Sequence, residues 1–289
     1  MAEGDGRRFG FSDEELRTLP TVFRPDLLAG RAVIVSGGGS GIGIAIACLC
    51  ARLGAAVAIC GRDPDKLGRA AALLESVGAR VFSRAFTIRD ADAVADFIAA
   101  ADTALGGIDI LVNNAGGQFP QPALDFRVKG WNAVIDTNLN GSWYMMQAMA
   151  RRWVEGGRPG AVVNIIADIW RGMPGIAHTA AARAGVAYLS KSVAVEWAPH
   201  HIRVNCVAPG VVETSGFAQY PPEGLATYPQ SNPMLHVGDA HDIAEAVVYL
   251  AAPSGKFITG EVLTVDGGQQ LWGDPWPPGR PHWFEPGGD

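Results

Sequence analysis

Seven short, apolar, β-branched runs alternate with stretches of helical periodicity, and this alternation constrains the fold more than any other feature of the chain. The runs cover residues 32–36, 56–60, 80–86, 108–113, 161–166, 202–207 and 261–265. Strands that read as continuous apolar runs are covered on both faces, and strands separated by helices return parallel through right-handed crossovers. The expected fold class is therefore α/β, a single domain built on a doubly wound sheet of seven parallel strands with helices on both faces. A chain of 289 residues, 48% of them hydrophobic, is long enough to bury one such core.

Three segments stand outside the alternation. Residues 1–30 form an extension in which Ser12-Asp13-Glu14-Glu15 has the spacing of a capping box opening a short helix. Residues 31–270 form the main domain, and within it 213–237 is rich in Pro, Gly, Gln and Tyr, with weak periodicity. It follows a strand end, and an irregular stretch of this length in a compact domain reads as a substrate lid. The tail, 271–289, carries Trp272, Trp276, Trp283 and Phe284 among prolines, an extended segment whose aromatics need a surface to cover.

A net charge of −6 and an isoelectric point near 5.5 exclude nucleic acid as the main partner. Cys48, Cys50, Cys60 and Cys206 lie inside apolar runs without metal-ligand or disulfide spacing, which reads as reduced core thiols and no metal site. The first residues lack the pattern of a secretory signal, the last residues are no peroxisomal address, and no apolar run is long enough to span a bilayer. The expected location is the cytoplasm, with no membrane partner.

Chemistry enters with Ser36-Gly-Gly-Gly-Ser-Gly-Ile-Gly43, which follows a strand and opens an apolar helix. In that context Gly37, Ser40, Gly41, Ile42 and Gly43 let the backbone approach a pyrophosphate at a helix N-terminus, where unpaired N–H groups and the dipole favour negative charge. The second strand ends in Cys60-Gly61-Arg62. An acidic residue at that point would bind ribose hydroxyls; the Arg62 guanidinium instead suits a 2′-phosphate, unless it lies in solvent with Asp63 turned inward. The Rossmann-type cofactor expected here is NADP, as NADPH.

With these motifs in order, the chain resembles the short-chain dehydrogenases/reductases over roughly residues 30–270. The matching stretches are Ser36 to Gly43, Asn113-Asn-Ala-Gly116, Asn138-Leu-Asn-Gly141, Ile202-Arg-Val-Asn205, Pro209-Gly-Val-Val-Glu-Thr214 and Asp266-Gly-Gly268. Within the family it is most similar to the peroxisomal trans-2-enoyl-CoA reductase and 2,4-dienoyl-CoA reductase branch. That likeness rests on Gly116-Gly-Gln-Phe119, Lys129-Gly-Trp131, Val163-Asn-Ile-Ile166, His178 with Ala181-Ala-Arg-Ala-Gly185, and Phe257-Ile-Thr-Gly260. The resemblance implies that Asn114, Ala115 and Gly116 line the adenosine and nicotinamide ribose side. It puts Pro209, Gly210, Val212 and Thr214 at the carboxamide and Thr87 and Ile88 against the adenine. Asn138 becomes the active-site asparagine that braces a catalytic lysine through water. It also implies a homotetramer or homodimer in which the long helices beginning near Phe126 and Pro174 pack against their copies, with the aromatic tail at or near the interface.

One departure matters more than these matches. Where the family has a Tyr-x-x-x-Lys pair, this chain reads Thr179-Ala-Ala-Ala-Arg183, and the family serine falls near Ala167, with Asp168 beside it. The catalytic candidates are Asn138, His178, Thr179 and Arg183. Arg183 also serves as a cofactor contact through the nicotinamide ribose, but a guanidinium cannot relay a proton as an amine can. Thr179 donates a hydrogen bond yet is a poor acid, and His178 is the ordinary acid/base residue next to it. Tyr220, Tyr228 and His236 in the lid are further candidate donors, and Trp170 a candidate pocket wall. Arg127, Lys129, Arg151 and Arg152 are candidates for the phosphates of an acyl carrier, although solvated helix charge explains such residues equally well. Three functions fit: an NADPH-dependent reductase of the C=C bond of an enoyl or dienoyl thioester, acyl-CoA being the expected substrate; a ketone reductase or alcohol dehydrogenase with a non-standard donor; and a nucleotide-binding module with weak catalysis.

Overall fold

Each of the seven apolar runs is a strand in the computed structural model, which describes residues 8–219 and 222–271. In chain order the strands are β1 (Ala32–Ser36), β2 (Ala56–Gly61), β3 (Val81–Ala85), β4 (Ile110–Asn113), β5 (Gly160–Ile165), β6 (Ile202–Pro209), β7 (Val212–Glu213), β8 (Gly238–Asp239) and β9 (Val262–Val265). Seven form one parallel sheet in the order β3-β2-β1-β4-β5-β6-β9; β7 and β8 pair separately. The strand order reverses direction between β1 and β4, which opens a crevice at the carboxyl edge of the sheet.

The helices are α1 (Asp13–Thr18), α2 (Gly41–Arg52), α3 (Pro64–Ser76), α4 (Ala91–Leu105), α5 (Val128–Ile135), α6 (Gly141–Glu155), α7 (Ala177–Trp197), α8 (Pro222–Leu225) and α9 (Ala240–Ala251). Their starts follow from the local sequence. Asp63 and Asp90 cap α3 and α4 by accepting from two first-turn amides each, and α9 opens with an Asp239/Asp242 capping box. The Ser12/Glu15 box expected at α1 is formed, both reciprocal bonds being present. Between α5 and α6 the helix widens into a π-turn, Asp136–Asn140, a form that recurs at functional sites.

Two apolar layers sandwich the sheet. One joins α2, α3 and α9 to it through Ile46, Leu49, Leu74, Ile243 and Val247; the other joins α4 and α6 through Phe97, Ile98, Met145, Met149 and Trp153. Residues 8–30 pack onto the first layer. Leu16 and Leu28 are buried, the Leu28 amide donates to the Leu53 carbonyl at 2.9 Å, and Arg52 holds the carbonyls of Leu16 and Leu19. Both edge strands depart from the expected two-sided burial: Ser83, Arg84 and Ala85 of β3 are exposed, and all four residues of β9 are only half-buried, because β2 and β6 are their respective single neighbours. The four cysteines are free and buried, and burial pushes the thiols of Cys50 and Cys60 up to about 12 and those of Cys48 and Cys206 to about 11. Among the described residues no helix is long and apolar enough to cross a membrane. The described part of 213–237 consists of β7 and short turns, Ser215–Gln219, α8 and Tyr228–Ser231. Tyr220 and the tail aromatics Trp272, Trp276, Trp283 and Phe284 lie outside the described residues.

Trp153 anchors the second layer. Its ring is fully buried over Gly160, where any Cβ would collide with it, and its Nε1 donates to the Ile108 carbonyl at 2.6 Å. Trp153→Ala is expected to lower unfolding free energy by about 3–5 kcal/mol, the range for emptying a large aromatic site. Guanidinium denaturation checks this; a loss under about 1 kcal/mol would show that the layer collapses around the gap.

Candidate nucleotide and substrate site

The turn after β1 is shaped by what its glycines lack. Gly37 and Gly41 have positive φ of 67° and 55°, and a Cβ on Gly37 would stand 2.9 Å from the Ala115 Cα. A Cβ on Gly43 would overlap the Gly37 carbonyl oxygen, so α2 crosses β1 at a distance no other residue permits. Ser36 and Asn114 lock this turn to the end of β4. The Ser36 Oγ accepts from the amides of Asn114 and Ala115 at 3.1 and 3.0 Å, and the Asn114 Nδ2 donates to the carbonyls of Ser36 and Gly37. Ser40, at the N-cap of α2, makes no side-chain cap bond, which leaves the first-turn N–H groups facing outward for an anion. A cradle that a single methyl would fill, beside an uncapped helix start, fits a dinucleotide pyrophosphate.

Two cavities meet at Asn114, Gly116, Gly117 and Gln118. The first, of about 670 Å³, runs from Gly37 and Ser40 past Arg62 to Thr87, Ile88 and Ala115. Asp63, the carboxylate next to Arg62, also lines this cavity, with one oxygen engaged at the start of α3. Its Oδ1 accepts the amides of Asp65 and Lys66, both at 3.1 Å, and the Lys66 amide bond chiefly holds its carboxyl below the usual range. Two cations that sequence reasoning missed, Lys66 and Arg89, stand on the same wall as Arg62. Lys66 was readable in principle, since the helix opened by Asp63-Pro64 carries it one turn past Arg62.

The second cavity, of about 590 Å³, is lined by Ile42, Asn138 and Arg183 and by Pro209, Gly210, Val212 and Thr214. Arg183 is buried, its Nη1 donates to the Ile165 carbonyl at 2.8 Å, and desolvation lowers its pKa to about 10. A Cβ on Gly116 would overlap its guanidinium, so Arg183 and the end of β4 are in direct contact. The Asn138 side chain, set by the π-turn, is used at both ends on one residue: Oδ1 accepts the Gly117 amide at 2.9 Å and Nδ2 donates to the Gly117 carbonyl at 3.0 Å. It therefore splints the Gly116-Gly117 loop, where the resemblance implied a brace for a lysine. Asp168, Gln118, Met173, Phe217, Tyr228 and Gln269 complete the wall. Asp168 combines a buried Oδ1 that has no hydrogen-bond partner with a carboxyl pushed above its ordinary pKa, first by burial and second by Asp266.

The structure does not bring His178 and Thr179 onto either wall. The His178 ring is fully buried, 4.6 Å from Phe119 and 4.4 Å from Phe126 between centroids. Its Nδ1 accepts the Thr179 amide at 2.8 Å, its Nε2 is buried without a partner, and desolvation lowers its pKa. Thr179 is likewise buried, with its hydroxyl 3.3 Å from His178 Nδ1. Of the lid candidates, Tyr228 reaches the second cavity and packs edge-on to Phe217, whereas His236 turns to the Val237 carbonyl. Trp170 is exposed and off both walls, as are Arg127, Lys129 and Arg151; Arg152 is paired with Asp102 at 2.8 Å.

Gly43→Ala is expected to weaken nicotinamide dinucleotide binding by on the order of tenfold or more, because relieving the overlap with Gly37 costs about 1–3 kcal/mol in a packed crossing. Calorimetric titration with NADPH and NADH checks it; unchanged affinity for both would show that the turn is not the cradle.

Comparison with known proteins agrees with this geometry. The family model described as enoyl-(acyl carrier protein) reductase matches residues 37–270. A probable 2,4-dienoyl-CoA reductase of Bacillus subtilis (strain 168) is 36% identical over 252 residues, covering 86% of this chain and 98% of the relative. A gluconate 5-dehydrogenase of Gluconobacter oxydans (strain 621H) is 35% identical over 251 residues, covering 84% and 97%. The crystal structure of a carveol dehydrogenase from Mycobacterium avium in complex with NAD superposes with a TM-score of 0.80 at 30% identity, covering 86% of this chain and all of that one. The chain belongs to the short-chain dehydrogenase/reductase family and is an oxidoreductase built to hold a nicotinamide cofactor.

Proposed function

We propose that this protein is an NADPH-dependent reductase of the C=C bond of an enoyl or dienoyl thioester, with acyl-CoA as the carrier. The observation that carries the reading is Arg183: a buried, permanently charged guanidinium stands on the cavity wall where the family has its lysine, and no tyrosine stands one turn before it. Bound in the cradle, the nicotinamide supplies the hydride. Reducing a ketone then develops an alkoxide, which needs a proton from a placed acid, worth about 10²–10⁴ in rate. Reducing an enoyl thioester develops an enolate, which chiefly needs its oxygen stabilised; one oriented donor supplies on the order of 10²–10³. Arg183 offers charge and N–H groups for that oxygen and releases no proton. The dienoyl-CoA reductase among the relatives supports the same reading. Tyr228, which lines the same cavity, favours the second reading, a carbonyl reductase with a lid phenol as donor.

Turnover of crotonyl-, hexenoyl- and decenoyl-CoA with NADPH, run beside cyclic and aryl ketones, separates the two. Faster turnover of the ketones would overturn the thioester reading.

We assign NADPH over NADH to Arg62, Lys66 and Arg89, three cations at the adenosine end whose neighbouring carboxylate, Asp63, is spent on capping α3. The four buried thiols suit a reducing compartment, the cytoplasm. The exposed apolar side chains Val128, Trp131, Tyr188 and Val195 on α5 and α7 suit a homodimer or homotetramer, and the 213–237 stretch, which brings Phe217 and Tyr228 to the cavity, suits a lid.

Arg62→Asp is expected to invert the cofactor preference, since it removes a charge-assisted partner of the 2′-phosphate and sets a carboxylate in its place. Comparing kcat/KM for NADPH and NADH in both proteins checks this; a wild type using both equally at low concentration would refute the assignment.

A further inference from the structure

The thioester reading leaves one proton without a source. Hydride addition to the β-carbon forms a C–H bond and moves the π pair onto the carbonyl oxygen, and the resulting enolate becomes product when its α-carbon gains a proton. Arg183 retains its own at neutral pH, with a pKa of about 10. Asn138 has both ends of its amide on Gly117, and His178 is enclosed behind Phe119 and Phe126. Asp168 is different. It occupies the loop directly after β5, lines the same cavity as Arg183, and its Oδ1 is buried with no hydrogen-bond partner.

We propose that Asp168 is the proton donor of this site, passing its carboxyl hydrogen to the α-carbon of the reduced thioester. The proposal rests on the thioester reading above. An ionised carboxylate with a buried, unsatisfied oxygen is expensive, whereas a protonated one needs fewer partners, so the orphaned oxygen itself favours the acid form. The neighbourhood works the same way. The Asp168 amide donates to the Pro209 carbonyl at 3.0 Å, and the next residue, Gly210, lies against the backbone of Asp266. Asp266 accepts from the amides of Gly268 at 2.8 Å and Gln270 at 2.7 Å. Two neighbouring carboxyls do not both ionise readily, and Asp168, whose Oδ1 has no partner, is the one held toward its acid form. The opposing influences are the Trp170 amide and Arg171, on the exposed part of the same loop, and Arg183 lines the same cavity. Burial and Asp266 outweigh them, and the carboxyl is raised above its ordinary range.

The step balances. The Asp168 O–H bond breaks, the enolate electron pair forms the α-C–H bond, and the carboxylate left behind regains a proton from water, Asp168 being half-buried and reachable from the cavity. Reduction is complete at that point, with NADPH as the one reductant.

The test pairs Asp168→Asn, which keeps the shape and removes the acid, with Asp168→Glu, which keeps the acid. With NADPH and crotonyl-CoA, D168N is expected to lose about 10²–10⁴ in kcat/KM, lose the alkaline limb of the pH profile and bind NADPH as tightly as wild type, while D168E recovers part of the rate. In heavy water, wild type should place deuterium on one face of the α-carbon and D168N on both. In the ligand-free protein, the carboxyl carbon signal missing from D168N should titrate above the aspartate reference of about 3.9. Wild type inert toward every enoyl-CoA overturns the thioester reading and this proposal together. An active wild type matched by D168N in rate and face selectivity overturns this proposal alone, and so does a carboxyl that titrates at the reference value.

Discussion

The close approach of the β1–α2 turn to the end of β4 is the constraint on which the site depends. Gly43 without a Cβ lets α2 sit on the Gly37 carbonyl, and Gly37 without one lets the turn touch the backbone of Ala115. The gap is then sealed by polar bonds, Ser36 accepting two β4-end amides and Asn114 spanning two carbonyls of the turn. Steric absence and hydrogen bonding act together here: each bond contributes only about 1 kcal/mol net, but leaving its buried partners unmade would cost about 1–3 kcal/mol each. The cradle is therefore rigid before any ligand arrives, and its open N–H groups face one way.

A row of polar side chains extends that rigidity under the second cavity. Ser36, Asn113, Asn164 and Cys206 are register partners across β1, β4, β5 and β6, so one line of an apolar sheet is polar at its carboxyl edge. The Asn113 Nδ2 donates to the Asn164 Oδ1 at 2.9 Å, the Asn164 Nδ2 to the Ser190 Oγ at 2.9 Å, and the Cys206 Sγ lies 3.3 Å from the same hydroxyl. Ser190 belongs to α7, the helix that carries Arg183, so the network sets the height of that helix over the sheet. Carboxyl-edge loops can vary in chemistry while this row holds their roots in place.

The fold and the cradle were legible from the chain because both are written in local patterns. Continuous β-branched runs announce buried strands, and β3 and β9 depart from that reading because sheet order, which no local pattern encodes, puts them on the edges. The glycines of the first turn announce positive φ and close approach. The substrate side is less legible because burial there is decided by residues far apart in the chain. His178 looks like an available acid in sequence, yet Phe119 and Phe126 come from the β4–α5 connection to enclose it. Asn138 looks like a brace for a lysine, yet the π-turn aims it at Gly117. Asp168 shows in sequence only its place beside the family serine position; its character comes from an oxygen left without a partner and from Asp266 near the end of the chain.

Replacing the family lysine by Arg183 changes what the site can do with charge. A lysine in this cavity would shift readily between charged and neutral forms; at a pKa of about 10 the guanidinium is neutral in only about one molecule in a thousand at pH 7. Its charge is thus a fixed part of the wall, held by the Ile165 carbonyl and by contact with Gly116. Fixed positive charge in a partly desolvated cavity stabilises an oxyanion wherever one forms, with no reorganisation at the moment of reaction. It also separates two tasks that a Tyr-Lys pair performs as one unit. In the proposed thioester reduction, stabilising the oxyanion would fall to α7, through Arg183, and moving the proton to another element. That division suits a reaction whose oxyanion and proton-accepting atom are different atoms, as they are in an enolate protonated on carbon, and fits poorly with an alkoxide, where they are the same.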